Sequence, residues 1–229
     1  MDTADKVGSL NFEVRSSEVQ FQATLERPNF DWLQNWTRLS ASLFDQLKPK
    51  GLNLADIRVE AAGSFADFQL TASLLRHSTI VRVKLDSVEV HCYNAAGAAR
   101  DQVDDVVVSV LEGLRQNGSE LRVASMTGAV ALHGLVGGVS DVEFLSTYSR
   151  SGDVQLGPRS GGGAALYFGE CGPRTATIVS LDRSTQVMGA VFLRLSGAWN
   201  GSAVKPAELP NLTRDLVDEA LAQLHLTIT

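Results

Sequence analysis

Residues 80–93 read Ile80-Val81-Arg82-Val83-Lys84-Leu85-Asp86-Ser87-Val88-Glu89-Val90-His91-Cys92-Tyr93. Val81, Val83 and Leu85 share one parity, and Arg82, Lys84 and Asp86 the other. After a turn at Asp86-Ser87 the alternation resumes with Val88, Val90 and Cys92. Successive side chains on a strand point to opposite faces, so this is the pattern of an antiparallel hairpin with one apolar and one polar face.

Upstream, Phe68, Leu70, Ala72 and Leu74 alternate in the same way, as do Ile57, Val59 and Ala61, with Gly63-Ser64 as a turn between them. The result is a meander. Asn11 to Leu25 is also extended, but its phase slips at Ser16-Ser17: Phe12 and Val14 have one parity, and Val19, Phe21, Ala23 and Leu25 the other. A one-residue slip of this kind predicts a bulge or a turn.

Between these strands lies a helical period. Phe30, Leu33, Trp36, Leu39, Leu43 and Leu47 recur at three- and four-residue steps from an Asn29 cap to Pro49 and Gly51, leaving Trp32 off the stripe. A second helix is expected over 98–116, with Val103, Val106, Val107, Val110, Leu111 and Leu114 on one face and Asn117-Gly118 as its stop.

From Glu120 to Tyr148 the chain reads as extended, with Val130, Leu132, Val142, Phe144 and Tyr148 at even positions and Gly137-Gly138 as a turn. Ser149 to Gly163 is a loop of Gly, Ser and Arg. Strands are expected over 164–170, 175–182 and 187–198, and a last helix from Pro210 or Asn211 carries Leu212, Leu216, Ala220 and Leu224.

The fold class that follows is α+β: a long curved antiparallel sheet covered on one face by about three amphipathic helices. The 229 residues suit one domain, 1–229. Both halves pass from a meander into a helix, and Leu85-Asp86 and Leu181-Asp182 are matching turn candidates. The order therefore admits a pseudo-repeat of 10–117 and 119–229. In element order this resembles duplicated helix-grip or saddle-shaped folds, a likeness of topology that carries no function.

The chemistry-bearing residues are scattered. His77, His91, His133 and His225 show no metal-ligand spacing, and His91 and Cys92 are strand neighbours facing opposite ways. Cys92 has the parity of the core. Cys171 sits in a tight Glu170-Cys171-Gly172-Pro173 turn with no base beside it in sequence. Gly157 to Gly163, with Arg159, lacks the GK[ST] and following helix of a phosphate loop. Asp101, Asp104 and Asp105, like Asp215, Asp218 and Glu219, suit the starts of helices, where acids complement the dipole. The four N-x-[ST] matches at Asn35, Asn117, Asn200 and Asn211 read as chance.

No catalytic, cofactor-binding or metal residue is assigned. The formal net charge of -6 and the lack of an aromatic-basic platform argue against nucleic acid. No apolar stretch is long enough to span a membrane, and the polar start from Met1 to Ser9 points to a cytoplasmic location.

The first functional expectation is a non-catalytic interaction or assembly protein, self-associating or part of a larger complex, with the Gly-rich loop and Trp32 as candidate contacts. The alternative is a binder of a small apolar ligand in a helix/sheet cleft, for which Phe68, Phe144 and Phe168 would line a gap. The third is an enzyme whose residues converge only in space, with His91 or His133 beside a carboxylate. The sequence leans away from it.

Overall fold

The computed structural model describes residues 9–60, 64–95, 100–116, 121–148 and 163–229. Among these residues it is α+β, with a ten-stranded sheet that does not close. The strands are β1 (Leu10–Leu25), β2 (Ile57–Glu60), β3 (Gln69–Leu74), β4 (Thr79–Lys84), β5 (Ser87–Tyr93), β6 (Val123–Val136), β7 (Ala164–Phe168), β8 (Arg174–Arg183), β9 (Val191–Asn200) and β10 (Leu226–Ile228). The helices are α1 (Phe30–Gln34), α2 (Trp36–Leu47), α3 (Arg100–Gln116), α4 (Asp141–Tyr148) and α5 (Leu209–Gln223). The Gly157 to Gly162 stretch with Arg159, the Gly63 turn and the Asn117-Gly118 stop lie outside the described residues.

The strand order is β2-β3-β4-β5-β1-β6-β9-β8-β7, every pair antiparallel, with β10 added parallel to β1. β1 and β6 form the long central seam. Its register shifts between Val14 and Ser16, so the phase slip at the start of the chain is a bulge at Arg15. That bulge keeps Phe12 and Val14 on the same face as Ser17, Val19 and Phe21.

The alternation puts one apolar row after another on a single face. Val81, Val90, Phe21, Gly128, Gly197 and Thr177 lie in one cross-strand row. The helices cover this face in two groups. The α1–α3 group shares a core with β1–β5 that includes Trp32, Leu39, Leu43, Val106 and Leu114. A second core joins Phe144 and Leu145 of α4 and Val217 and Leu221 of α5 to Leu132, Leu181 and Leu193.

Several expectations need correction. The first helix breaks at Asn35, whose backbone (φ -116°, ψ 33°) is not helical. The break re-aims the first turn, so Trp32 is fully buried, and Phe30 and Trp36 are 50% and 44% exposed. Trp32 is therefore no surface contact. Asn29 holds the cap position without a side-chain bond. Residues 141–148 form a helix and not a strand: Ser140 Oγ accepts the Glu143 N–H at 3.1 Å, the cap of an S-x-x-E start. Leu181-Asp182 lies inside β8 and is no turn. β10 was not anticipated.

Candidate functional site

The sheet's other face is polar. Arg82 of β4 bonds Glu89 of β5 (3.1 Å), and Gln20 of β1 bonds the same carboxylate (3.2 Å). His91 lies 3.5 Å from Glu18 and stacks on Tyr93 with ring centroids 4.0 Å apart. The strand pleat alone places these side chains together. The arrangement is a surface ladder in which Arg82 and Gln20 meet Glu89, and His91 meets Glu18, across the strands.

His133 is buried on this face, although its neighbours in β6 gave no sign of it. Its ring lies beside Phe192 (centroids 4.9 Å apart), and Nδ1 is 2.8 Å from Ser184 Oγ. Ser184 Oγ also accepts the backbone N–H groups of Gln186 (3.1 Å) and Val187 (2.8 Å). With both lone pairs engaged, the hydroxyl proton goes to Nδ1, so the neutral ring carries its proton on Nε2. The bond ties β6 to the loop between β8 and β9. Burial pushes the imidazole below its ordinary range, partly offset by the Glu18 carboxylate.

A pH dependence follows. The folded-state value lies below the unfolded one, so the unfolded chain binds more protons in between. The contribution is complete above the unfolded value of about 6.5 and is lost as pH falls through the folded one. Denaturant unfolding between about pH 7.5 and about pH 5 is expected to show stability falling with acid, by at most about 1.4 kcal/mol per pH unit from this group. His133→Asn, which keeps an acceptor at the Nδ1 position, should flatten the slope. An unchanged slope would show that His133 does not set it.

Asp215, Asp218 and Glu219 do not start a helix: α5 begins at Leu209, so they lie past its first turn, which holds no acid. Three of the acids are in ion pairs. Asp104 pairs with Arg214, Asp105 with Lys50 (2.6 Å) and Glu219 with Arg174 (3.0 Å). The side chain of Asp101 lies outside the described residues. Cys92 is buried in the core, and burial pushes its thiol up. Phe68 and Phe144 are buried in two different cores. Phe168 is half exposed, so the three phenylalanines do not line one gap.

The most unusual surface is the β7 end of the sheet. The turn Glu170-Cys171-Gly172-Pro173 is tight as expected, closed by Cys171 N–H to Arg174 O (2.8 Å), with Gly172 at φ 60°. It joins β7 to β8, and Cys171 is exposed there. β7 reads Ala164-Ala165-Leu166-Tyr167-Phe168 and carries no charge. Leu166 is 38%, Tyr167 75% and Phe168 48% exposed. Leu166 pairs with Val179 and Phe168 with Thr177, so both project toward the helix layer, and Tyr167 projects the other way.

Between β7–β8 and α5 is a cleft of about 500 Å³, lined by Leu166, Phe168, Val179, Leu216, Ala220 and Leu224. The Arg174–Glu219 pair stands at it. The sequence marks β7 as a strand, but its place at the edge of the sheet formed by the described residues comes only from the strand order. No helix among the described residues is long and apolar enough to cross a membrane. In comparisons with known proteins, the chain matches no family model and no curated protein.

Proposed function

We propose that the chain is a non-catalytic interaction or assembly protein that receives a strand from a protein partner along β7. The observation that supports it is an uncharged strand with three large exposed apolar side chains at the end of the sheet path. An edge strand offers a row of backbone N–H and C=O groups, and proteins ordinarily shield such rows with charge. The opposite edge follows that practice: β2 turns Arg58 and Glu60 outward. β7 does not. An added strand takes main-chain hydrogen bonds from the edge and places alternate side chains in neighbouring pockets. Here those side chains would extend the apolar row of Leu166 and Phe168 beside the α5 cleft.

The same apolar cleft favours a second reading, a small apolar ligand held between α5 and β8. One titration separates the two. A synthetic peptide of residues 163–170 serves as the strand probe, followed by amide NMR of the full chain. Strand addition is expected to shift the β7 amides, with the effect lost in Leu166→Lys. Shifts confined to Leu216, Ala220 and Leu224 would favour the ligand cleft, and no shift would overturn strand addition.

A further inference from the structure

We propose that the partner strand is β7 of a second copy, paired antiparallel about Leu166, so that two sheets join into one across a twofold axis. This rests on the reading of β7 as a pairing edge.

The order of side chains in β7 carries the inference. It runs from small to large: Ala164, Ala165, Leu166, Tyr167, Phe168. Antiparallel pairing about Leu166 sets Phe168 opposite the partner copy's Ala164 position and Tyr167 opposite its Ala165 position. Each large side chain then meets a small one, and only Leu166 meets itself. Centring on Tyr167 would stack the two rings against each other and set Phe168 opposite Leu166. Centring on Ala165 would leave Tyr167 and Phe168 hanging past the pair. A shift to an odd register would set helix-side residues opposite outer-side ones and put the two helix layers on opposite faces. The Leu166 register keeps the rows Val179–Leu166 and Thr177–Phe168 running into the second copy on the same face.

Charge agrees with this arrangement. Near a twofold axis a charged residue meets its own kind, and β7 has none. The pairing is isologous and closes at two copies. A five-residue edge buries well under the roughly 800 Å² per partner of a standard interface, so the dimer is expected to be reversible and concentration-dependent.

The test is light scattering on the intact chain across a concentration series, with cysteine cross-linking in a Cys171→Ser background. The mass should rise from one copy to two and stop. Leu166→Cys should oxidise to a covalent dimer, because residues facing each other across strands lie within disulfide reach. Phe168→Cys alone should not, since its two copies fall four residues apart, but mixed with Ala164→Cys it should. Leu166→Lys should weaken the dimer by about tenfold or more while leaving the melting temperature of the dilute chain unchanged. A monomer at every concentration, or equal cross-linking at Leu166→Cys and Phe168→Cys, would overturn the proposal. A monomer whose β7 amides still shift with the 163–170 peptide would overturn the second copy alone and leave the pairing edge standing.

Discussion

Gly128→Val is expected to destabilise the fold by about 3 kcal/mol or more, at the upper end of what an overpacked core loses. Gly128 lies on the helix side of β6, in register with Phe21 of β1 and Gly197 of β9. A Cβ there would stand 1.9 Å from Thr213 Oγ1 of α5. That hydroxyl cannot simply turn away. It is buried and donates to the Leu209 carbonyl one helical turn back, at 2.8 Å. Next to it, a Cβ at Gly197 would meet the Trp199 ring at 2.5 Å and Leu216 at 2.8 Å. The two glycines thus form a shallow seat that lets α5 lie directly on the β6–β9 backbones. A side chain at 128 lifts the helix off both. The gain of about 0.5–1 kcal/mol from replacing a strand glycine is too small to offset this. Denaturant unfolding of Gly128→Ala, Thr213→Ala and the double variant checks the mechanism. The alanine at 128 should be less harmful when Thr213 is also truncated, a coupling that wild-type stability in Gly128→Val would contradict.

Phe12→Ala is expected to lose about 3–5 kcal/mol, the range for emptying a buried aromatic site. Phe12 is completely buried, although it lies only a few residues into the described chain. It follows from the bulge at Arg15, which turns Phe12 onto the helix face beside Val136, Leu224 and Leu226. Its ring lies over Gly134, where a Cβ would come within 2.6 Å of the ring. β10 also pairs here, Phe12 with Ile228. Removing the ring leaves β1, β6 and β10 without their common contact. The loss should appear as a lower denaturant midpoint with an unchanged slope. A change below about 1 kcal/mol would mean that the site collapses onto the gap.

Much of the sheet is legible in the sequence because one of its faces meets water. Where β3, β4 and β5 turn one side to solvent, period-two alternation has a physical cause and reads cleanly. The slip at Ser16-Ser17 marks the bulge for the same reason. Residues 141–148 misled because Val142, Phe144 and Tyr148 fit both a strand parity and a helical turn. Phe144 and Tyr148 meet as a helical pair with ring centroids 5.2 Å apart. The Ser140–Glu143 cap would have decided it. The break at Asn35, which turns Trp32 into the core, leaves no local signature. β10 is three residues long, too short for any period to show.

The candidate surface was less legible. A five-residue apolar strand reads alike whether it is central or at an edge, and only the strand order separates the two. The pseudo-repeat of 10–117 and 119–229 stays our proposal. It is supported by the order about the seam, where β5 flanks β1 as β9 flanks β6, and β5 and β9 each lead on to a long helix, α3 and α5, the second run then adding β10.

Hydrogen exchange of the β7 amides, read residue by residue in a dilute sample, tests the open edge most directly. Amides of β7 that do not face β8 are expected to exchange near the rate of an unpaired strand and to slow as the concentration rises. Protection of every β7 amide at the lowest concentration would show that the edge is already paired within one chain, and would contradict the account.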